Sequence, residues 1–148
     1  MRSRLKRVLN LPASAWLYLA TASIELLLAR IRFLTKSAKT IVDDLRRSQP
    51  GSIESAASNA VDPELLSWAI GVAARYVPWR SDCLIQAMAA DRWLRRHNIE
   101  PDFFLGVTTD DESRIYAHAW LRYGEITITG PGHEGYVPLI KPGQRARV

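Results

Sequence analysis

The hydrophobic and polar positions of the first fifty residues predict two helices. Pro12 suits a helix start, and the residues after it recur at the spacing of one amphipathic helix, namely Trp16, Leu19, Ala20, Ser23, Leu27, Arg30 and Ile31. A second helix is expected over about 37–46, before Pro50 and Gly51 break the pattern. The uncharged run 11–24 is shorter than the roughly 18–20 residues of a membrane span. This favours a helix of a soluble protein, with a membrane-surface helix and a signal peptide as the alternatives.

A small, polar segment at 51–61 predicts a linker, and a new helix begins after it. Asp62 can cap this helix, Pro63 suits its first position, and Glu64 complements the helix dipole. Its expected core stripe is Leu65, Trp68, Ala69, Val72 and Tyr76. The chain is therefore predicted to consist of a basic amphipathic helical lead-in at 1–50, the linker at 51–61 and a core at 62–148.

The core continues with a helix and then with strands. Ser81 is the expected cap of a helix over 82–97, whose residues Ile85, Met88, Ala89 and Trp93 face inward and whose Asp91, Arg92, Arg95 and Arg96 face water. Three strand-like runs follow, at 103–108, 115–123 and 125–129, and the residues after Gly130 read as a loop. A helix followed by an antiparallel meander predicts an α+β fold.

Composition adds a basic N-terminal third to this picture. Residues 1–50 hold ten Lys or Arg and three Asp or Glu, a charge of about +7 (10 − 3), whereas the whole chain carries +5. Such a segment can meet an anionic surface, an acidic peptide or a partner protein, or it can be a solvated helix face. A hydrophobic content of 47% argues against a disordered chain.

Several classes of function find no support in the sequence. One cysteine cannot close an intrachain disulfide and favours a reducing compartment, and one cysteine with three scattered histidines does not predict a structural zinc site. The chain has no phosphate loop or dinucleotide fingerprint. Basic and aromatic residues do not interleave along a strand, so nucleic-acid binding is not expected. No cofactor or metal is predicted.

The candidate chemistry lies in Cys83 and His118, which are 35 positions apart (118 − 83). Cys83 lies in the first turn of a predicted helix, where unpaired N–H groups favour the thiolate and can bind an oxyanion. His118 lies on a predicted strand and can act as general base and acid. Asp82 opposes the thiolate. The residues alone leave open that Cys83 is a small buried hydrophobe and His118 a hydrogen-bonded core residue.

Strand register suggests the group that orients the imidazole. If Tyr123 and Gly124 form a two-residue turn, Arg122 pairs with Glu125 and His118 lies opposite Thr129. Thr129 is therefore the candidate orienting group. His133 in a glycine-rich loop is an alternative base, and His97 at a helix C-terminus is interpreted as structural. Candidates for contact with substrate or oxyanion are Arg80, Gln86 and Trp120, of which Trp120 can also shield the imidazole.

The motifs around these residues resemble a known family. In order they are Arg80-Ser81-Asp82-Cys83-Leu84-Ile85-Gln86-Ala87, Trp93-Leu94-Arg95-Arg96-His97-Asn98-Ile99, Leu105-Gly106-Val107 and Ala117-His118-Ala119-Trp120. They resemble the transglutaminase-like cysteine proteases of lasso-peptide biosynthesis, the leader peptidases. Residues 5–45 are similar to the helical lead-in of the split form of that peptidase. No winged-helix leader-recognition domain is visible, which implies that a separate leader-recognition protein supplies it.

The resemblance implies a transglutaminase-like (papain-like) α+β fold and a function. The activity would be hydrolysis of the bond between leader and core of a lasso precursor peptide, with Cys83 as nucleophile and His118 as base. The implied partners are the precursor, the leader-recognition protein and an ATP-dependent lasso cyclase, with possible membrane-surface contact through the basic helices. The implied location is the cytoplasm, including the inner membrane face.

One departure from the family pattern leaves alternatives open. The family carries an aspartate about a dozen positions after the histidine, where this chain reads Thr127-Ile128-Thr129-Gly130. Three alternatives follow from this departure. Thr129 orients the imidazole, Glu134 or another acid orients it, or the site is weakened. The alternative functions are a peptide-binding module in which Cys83 is a spectator, and a transglutaminase-like acyltransferase.

Overall fold

The computed structural model describes residues 11–47, 61–132 and 134–140. In these ranges the chain forms helices α1 (Ala13–Thr35), α2 (Ala38–Arg47), α3 (Pro63–Tyr76) and α4 (Cys83–Arg96), followed by strands β1 (Asp102–Thr109), β2 (Ile115–Tyr123), β3 (Ile126–Thr129) and β4 (Val137–Ile140). Helices α3 and α4 pack against the sheet, and α1 packs across both of them. The predicted α+β class is confirmed.

The four strands form one antiparallel sheet in the order β3-β2-β1-β4. On one face Phe103, Ala119, Leu121 and Ile128 join the hydrophobic core beneath the helices. Because side chains alternate along a strand, His118 and Trp120 point to the opposite face. Strand β4 was not predicted, because its four residues include Pro138 and follow a glycine-rich loop.

The predicted register of the β2–β3 hairpin is wrong. Tyr123 pairs with Ile126, so the two-residue turn is Gly124-Glu125 rather than Tyr123-Gly124. A bulge next to Leu121 then places that residue opposite Thr129. Gly124 has a φ of 57°, which a glycine adopts without strain.

Both core helices begin with an aspartate cap. The Asp62 carboxylate accepts the backbone N–H groups of Glu64 (3.0 Å) and Leu65 (3.2 Å), as predicted for α3. In α4 the cap is Asp82, whose carboxylate accepts the Ile85 N–H at 3.3 Å. The predicted cap Ser81 is therefore wrong by one residue, but Cys83 does lie in the first turn.

The structure buries different helix faces from those predicted. In α1 the buried residues are Ala15, Ala22, Glu25, Leu26 and Ala29, whereas the predicted positions Trp16, Ala20, Leu27 and Ile31 are exposed. In α3 the buried face is Leu66, Ala69, Ile70 and Ala73, and Trp68 and Tyr76 are exposed. Small side chains on the buried faces allow the helices to approach closely. The stabilisation from this close packing exceeds what burial of the opposite face, with its larger apolar area, would provide.

Two acidic side chains are buried among the helices. Asp91, predicted to face water, is buried beside Arg95, whose Nε lies 2.9 Å from its Oδ1. Burial raises the pKa of Asp91, and the Arg95 charge opposes that shift. Glu25 of α1 is paired with Arg92 and Arg96 of α4. The remaining predicted inward residues of α4 are buried as expected, namely Ile85, Met88, Ala89 and Trp93.

The predicted division into a lead-in, a linker and a core stays a prediction. Ala22, Leu26 and Ala29 of α1 belong to the same hydrophobic core as α3, α4 and the sheet. Nearly all of the predicted linker lies outside the described residues. Among the described helices, none is long and apolar enough to cross a membrane.

Candidate functional site

Cys83 is the first residue of α4, and its free thiol is partly buried against the hydrophobic core. The first turn of a helix has N–H groups without intrahelical acceptors. In α4 the Asp82 cap accepts the Ile85 N–H, and the Asp82 carbonyl accepts the Gln86 N–H at 3.0 Å. The N–H groups of Cys83 and Leu84 are therefore the ones positioned to bind an anion formed beside the thiol.

Two candidates flanking Cys83 have other roles in the structure. The Gln86 side-chain amide donates to the Ser81 carbonyl at 2.8 Å, so it fastens the loop that precedes α4. The Arg80 side chain is 83% exposed and its Nε lies 3.9 Å from Asp82 Oδ2. Gln86 therefore positions the helix start, and Arg80 remains free to meet a ligand from solvent.

His118 lies in the middle of β2, between two aromatic rings. Its ring centroid is 6.0 Å from that of Trp120 and 5.2 Å from that of Tyr136. Its Nε2 is 3.2 Å from the carbonyl oxygen of Gly130. Because a carbonyl only accepts, this hydrogen bond holds the proton on Nε2 and leaves a lone pair on Nδ1. In a neutral imidazole this arrangement makes Nδ1 the basic nitrogen, which a general base acting at that atom requires.

Gly130 reaches His118 because it has no side chain. Its φ is 71°, and a Cβ atom there would lie 2.4 Å from the Ala119 carbonyl oxygen and 2.7 Å from Trp120 Cβ. Only glycine allows this approach to the β2 backbone. Position 130 is twelve residues after His118 (130 − 118), where the family that the sequence resembles carries its aspartate. Here a main-chain carbonyl meets the imidazole instead.

The expectation that Thr129 lies opposite His118 is wrong. Thr129 pairs with Leu121, is 4% exposed, and its Oγ1 is buried without a hydrogen-bond partner. The hairpin turn at Gly124-Glu125 moves the register by two residues, and the β2–β3 bulge moves it by one more. Glu134 is exposed, and the alternative base His133 lies outside the described residues. His97 is the C-cap of α4, in agreement with its predicted structural role.

Trp120 forms the wall beside the imidazole, as predicted. Its ring is stacked on Phe104, with centroids 5.2 Å apart and planes 4° apart. Gly106 lies beneath it, since a Cβ there would be 3.0 Å from the indole. Trp120 is 4% exposed, so it shields His118 rather than offering an open surface to a substrate.

The Cys83 thiol and the His118 imidazole are positioned by different neighbouring residues. Helix α4 packs on β2 and β3, but His118 points to the face of β2 opposite to Ala119 and Leu121. In the part of the chain that the structure describes, no hydrogen bond joins the Cys83 thiol to His118.

Sequence reasoning missed the groups that hold the imidazole. A glycine directly after a strand is a signal of close backbone approach, and Gly130 carries that signal. Tyr136 had no such signal, because it lies in the loop before a strand that was not predicted. Phe104 was predicted only as part of a strand, and its stacking on Trp120 follows from the β1–β2 register, in which the two residues pair.

Comparisons with known proteins identify the family. No curated protein and no solved structure matches the chain. The model of the Transglutaminase-like superfamily matches residues 24–141. This match includes Cys83, His118 and Gly130, and it covers most of the chain. The superfamily includes cysteine peptidases, and its members commonly have cysteine-type enzymatic activity. From this match and the α+β fold, the chain belongs to the transglutaminase-like superfamily.

Proposed function

We propose that the protein is a cysteine peptidase that removes the leader from a lasso precursor peptide. The observation that carries the proposal is the oriented imidazole, whose Nε2 is bound by Gly130 and whose Nδ1 lone pair is available. A thiol at the start of α4 supplies the complementary nucleophile. The choice of a lasso precursor rests on the sequence resemblance at Ala117-His118-Ala119-Trp120 and around Cys83.

The proposed reaction has two stages. Nδ1 of His118 takes the Cys83 proton, and the thiolate attacks the carbonyl carbon at the leader–core junction. The N–H groups of Cys83 and Leu84 bind the resulting oxyanion. The imidazolium then gives its proton to the leaving amine and an acyl-enzyme remains. Water, deprotonated by His118, hydrolyses the thioester and restores the thiol.

The approach of thiol and imidazole would accompany substrate binding. His118 and Trp120 lie on one face of β2, and Cys83 is packed against the core on the other. Precursor peptide and a separate leader-recognition protein are the proposed partners that bring about this step, acting beside an ATP-dependent lasso cyclase. Arg80, which is exposed next to the nucleophile, is the residue proposed to meet the peptide.

A second candidate function is a peptide-binding module of the same fold. It is favoured by two observations among the described residues: no carboxylate contacts His118, and no hydrogen bond joins the imidazole to Cys83. In that case the protein would hold the leader without cutting it.

Mass spectrometry of leader cleavage tests the proposal, with the precursor and the leader-recognition protein present. We expect Cys83→Ala and His118→Ala to abolish cleavage, since each removes a reacting group. Thr129→Val should retain it, because the Thr129 hydroxyl contacts no other polar group in the structure. Persistent cleavage by Cys83→Ala would rule out the thiol mechanism. Absence of cleavage by the folded wild type with all partners would favour the binding module.

Alkylation of the thiol provides an independent readout. If Cys83 is the nucleophile, iodoacetamide should modify it and precursor peptide should protect it. Gln86→Ala is a useful companion variant, because it removes only the bond that fastens Ser81 to the helix start. It should slow cleavage without abolishing alkylation.

A further inference from the structure

The outer face of α1 is apolar over most of its length. From Trp16 to Ile31, every exposed residue of this helix is apolar. We call this face the apolar seam; it comprises Trp16, Leu17, Ala20, Ile24, Leu27, Ile31 and Leu34, and its large members are 40–67% exposed. At a rise of about 1.5 Å per residue, the stretch from Leu17 to Leu34 is about 26 Å long.

A surface helix of a soluble domain normally turns polar side chains outward, whereas no residue in the described part of the chain covers the seam. The hydroxyl groups that flank it are already satisfied. Thr21 donates to the Leu17 carbonyl, and Thr35 to the Ile31 carbonyl, each at 2.9 Å. These polar groups therefore do not require water, and the face can enter an apolar medium at little cost.

Cations surround the C-terminal half of the seam. Arg30 lies over the Phe33 ring at 5.9 Å, and Arg32 and Lys36 both reach Asp44. The buried Glu25 is covered by arginines of α4. Over the described residues 11–47 the sequence holds six Lys or Arg and three Asp or Glu, a net charge of +3 (6 − 3), and all six cations follow Ala29.

We propose that α1 lies flat on an anionic lipid surface, with the apolar seam at the level of the acyl chains and the cations at its C-terminal end among the headgroups. An apolar stripe with a tryptophan at one end and Lys and Arg at the other is a pattern of an interfacial helix. None of the described helices is long and apolar enough to span the bilayer, which agrees with a peripheral arrangement. The proposal is independent of the peptidase reaction.

A second copy of the chain is the competing occupant. The seam residues Leu17, Ile24 and Ile31 are seven positions apart, as in a coiled coil. However, two copies would bring together two helical segments of +3 each over residues 11–47 (6 − 3), and like charges oppose that association. Charge complementarity therefore favours the anionic surface.

Vesicle sedimentation of the full chain tests the proposal. We expect wild type to sediment with phosphatidylglycerol–phosphatidylcholine vesicles, less with pure phosphatidylcholine vesicles, and less at high salt, because screening weakens the headgroup attraction. The variant Leu17→Gln/Ile24→Gln/Ile31→Gln should lower the partition coefficient at least about tenfold, since it removes three inserted side chains.

The matched control is Ile115→Gln/Val137→Gln/Leu139→Gln, which changes three similarly exposed side chains on the sheet. It should sediment like wild type. Circular dichroism verifies that both variants fold. If the triple variant unfolds, the single variant Ile24→Gln replaces it, and a smaller decrease of the partition coefficient is then expected. Equal sedimentation of the seam variant and the control would overturn the proposal. So would a wild type that ignores anionic vesicles, or that forms a dimer which the seam variant dissociates.

Discussion

Gly130 is the residue on which the orientation of His118 depends. Its positive φ and its contact with the backbone of Ala119 leave no space for a side chain, and its carbonyl oxygen lies 3.2 Å from Nε2 of His118. A residue needed for backbone geometry therefore also has a chemical role. In this chain the hydrogen bond that orients the His118 imidazole comes from the main chain, so a side-chain motif does not reveal it.

Gly130→Ala tests this role. Because φ is positive and the new Cβ would clash with the Ala119 carbonyl, we expect a loss of at least about 2 kcal/mol of stability, measured by chemical denaturation. The preference of the His118 proton for Nε2 over Nδ1 should also be lost. Nitrogen NMR of the imidazole measures this preference.

Gly132→Ala is the matched control for that substitution. Gly132 also has a positive φ, 80°, but nothing lies within 4 Å of the position of its Cβ. It should cost about 1 kcal/mol through backbone strain alone and leave the His118 tautomer unchanged. If both variants left the imidazole unaffected, Gly130 would not be its orienting group.

At the scale of elements, α1 and α4 are joined by a buried carboxylate. Glu25 is 1% exposed; its Oε1 lies 2.6 Å from Arg96 Nη1, and its Oε2 lies 3.0 Å from Arg92 Nε without hydrogen-bond alignment. A buried carboxylate is tolerated only when cations compensate for its lost hydration. The helix that begins with Cys83 is therefore held at its C-terminal end by α1.

Glu25→Ala should destabilise the protein by about 2–3 kcal/mol, because it removes a buried ion pair and leaves a cavity between α1 and α4. Thermal and chemical denaturation measure the change. Glu125→Ala is the control, since Glu125 is fully exposed in its pair with Arg122 and the loss of this pair should be without measurable effect. Equal effects in the two variants would contradict the role of Glu25.

The strength of the contact between α1 and α2 should depend on pH. Hydrogen bonds from Lys36 and Arg32 lower the pKa of Asp44 from 3.8 to about 2. Since the pKa is lower in the folded state, the stabilising contribution of Asp44 is complete above pH 3.8 and is lost as the pH falls through about 2. Carbon NMR of the carboxyl group should give a midpoint near 2. Lys36→Gln should raise it, and an unchanged midpoint in that variant would refute the assignment.

At the scale of the whole molecule, the helices and the sheet share one hydrophobic core. Leu26 of α1, Leu66 of α3, Leu94 of α4 and Leu121 of β2 all belong to it. The Asp62 N–H that opens α3 also donates to the Tyr18 hydroxyl of α1 at 3.0 Å. The family match begins at residue 24, inside α1. These observations favour one cooperative unit.

We therefore expect a single unfolding transition for the full chain, with the same midpoint by near- and far-ultraviolet circular dichroism. A variant that lacks residues 1–37 should not fold, because it would expose the buried faces of α3 and α4. A truncated chain with native near-ultraviolet signals would instead support the division at 51–61 into a lead-in and an independent core.

Local patterns in the sequence determined which elements form. Asp62 followed by Pro63 specifies a helix start through capping and a preset φ, and the alternation along 115–123 specifies a strand. The location of Cys83 in a first turn follows from the same local rules. Such features depend on residues within a few positions of one another, so they can be predicted from sequence alone.

Only the tertiary structure decided how those elements meet. Helix α1 is apolar on both sides, so its own pattern could not select the buried face; packing of Ala22, Leu26 and Ala29 against α3 and α4 did. The hairpin turn at Gly124-Glu125 and the β2–β3 bulge together moved Thr129 away from His118, and the close approach of Gly130 supplied a carbonyl in its place. Each of these outcomes depends on contacts between segments distant in sequence, where packing and backbone sterics outweigh local preference.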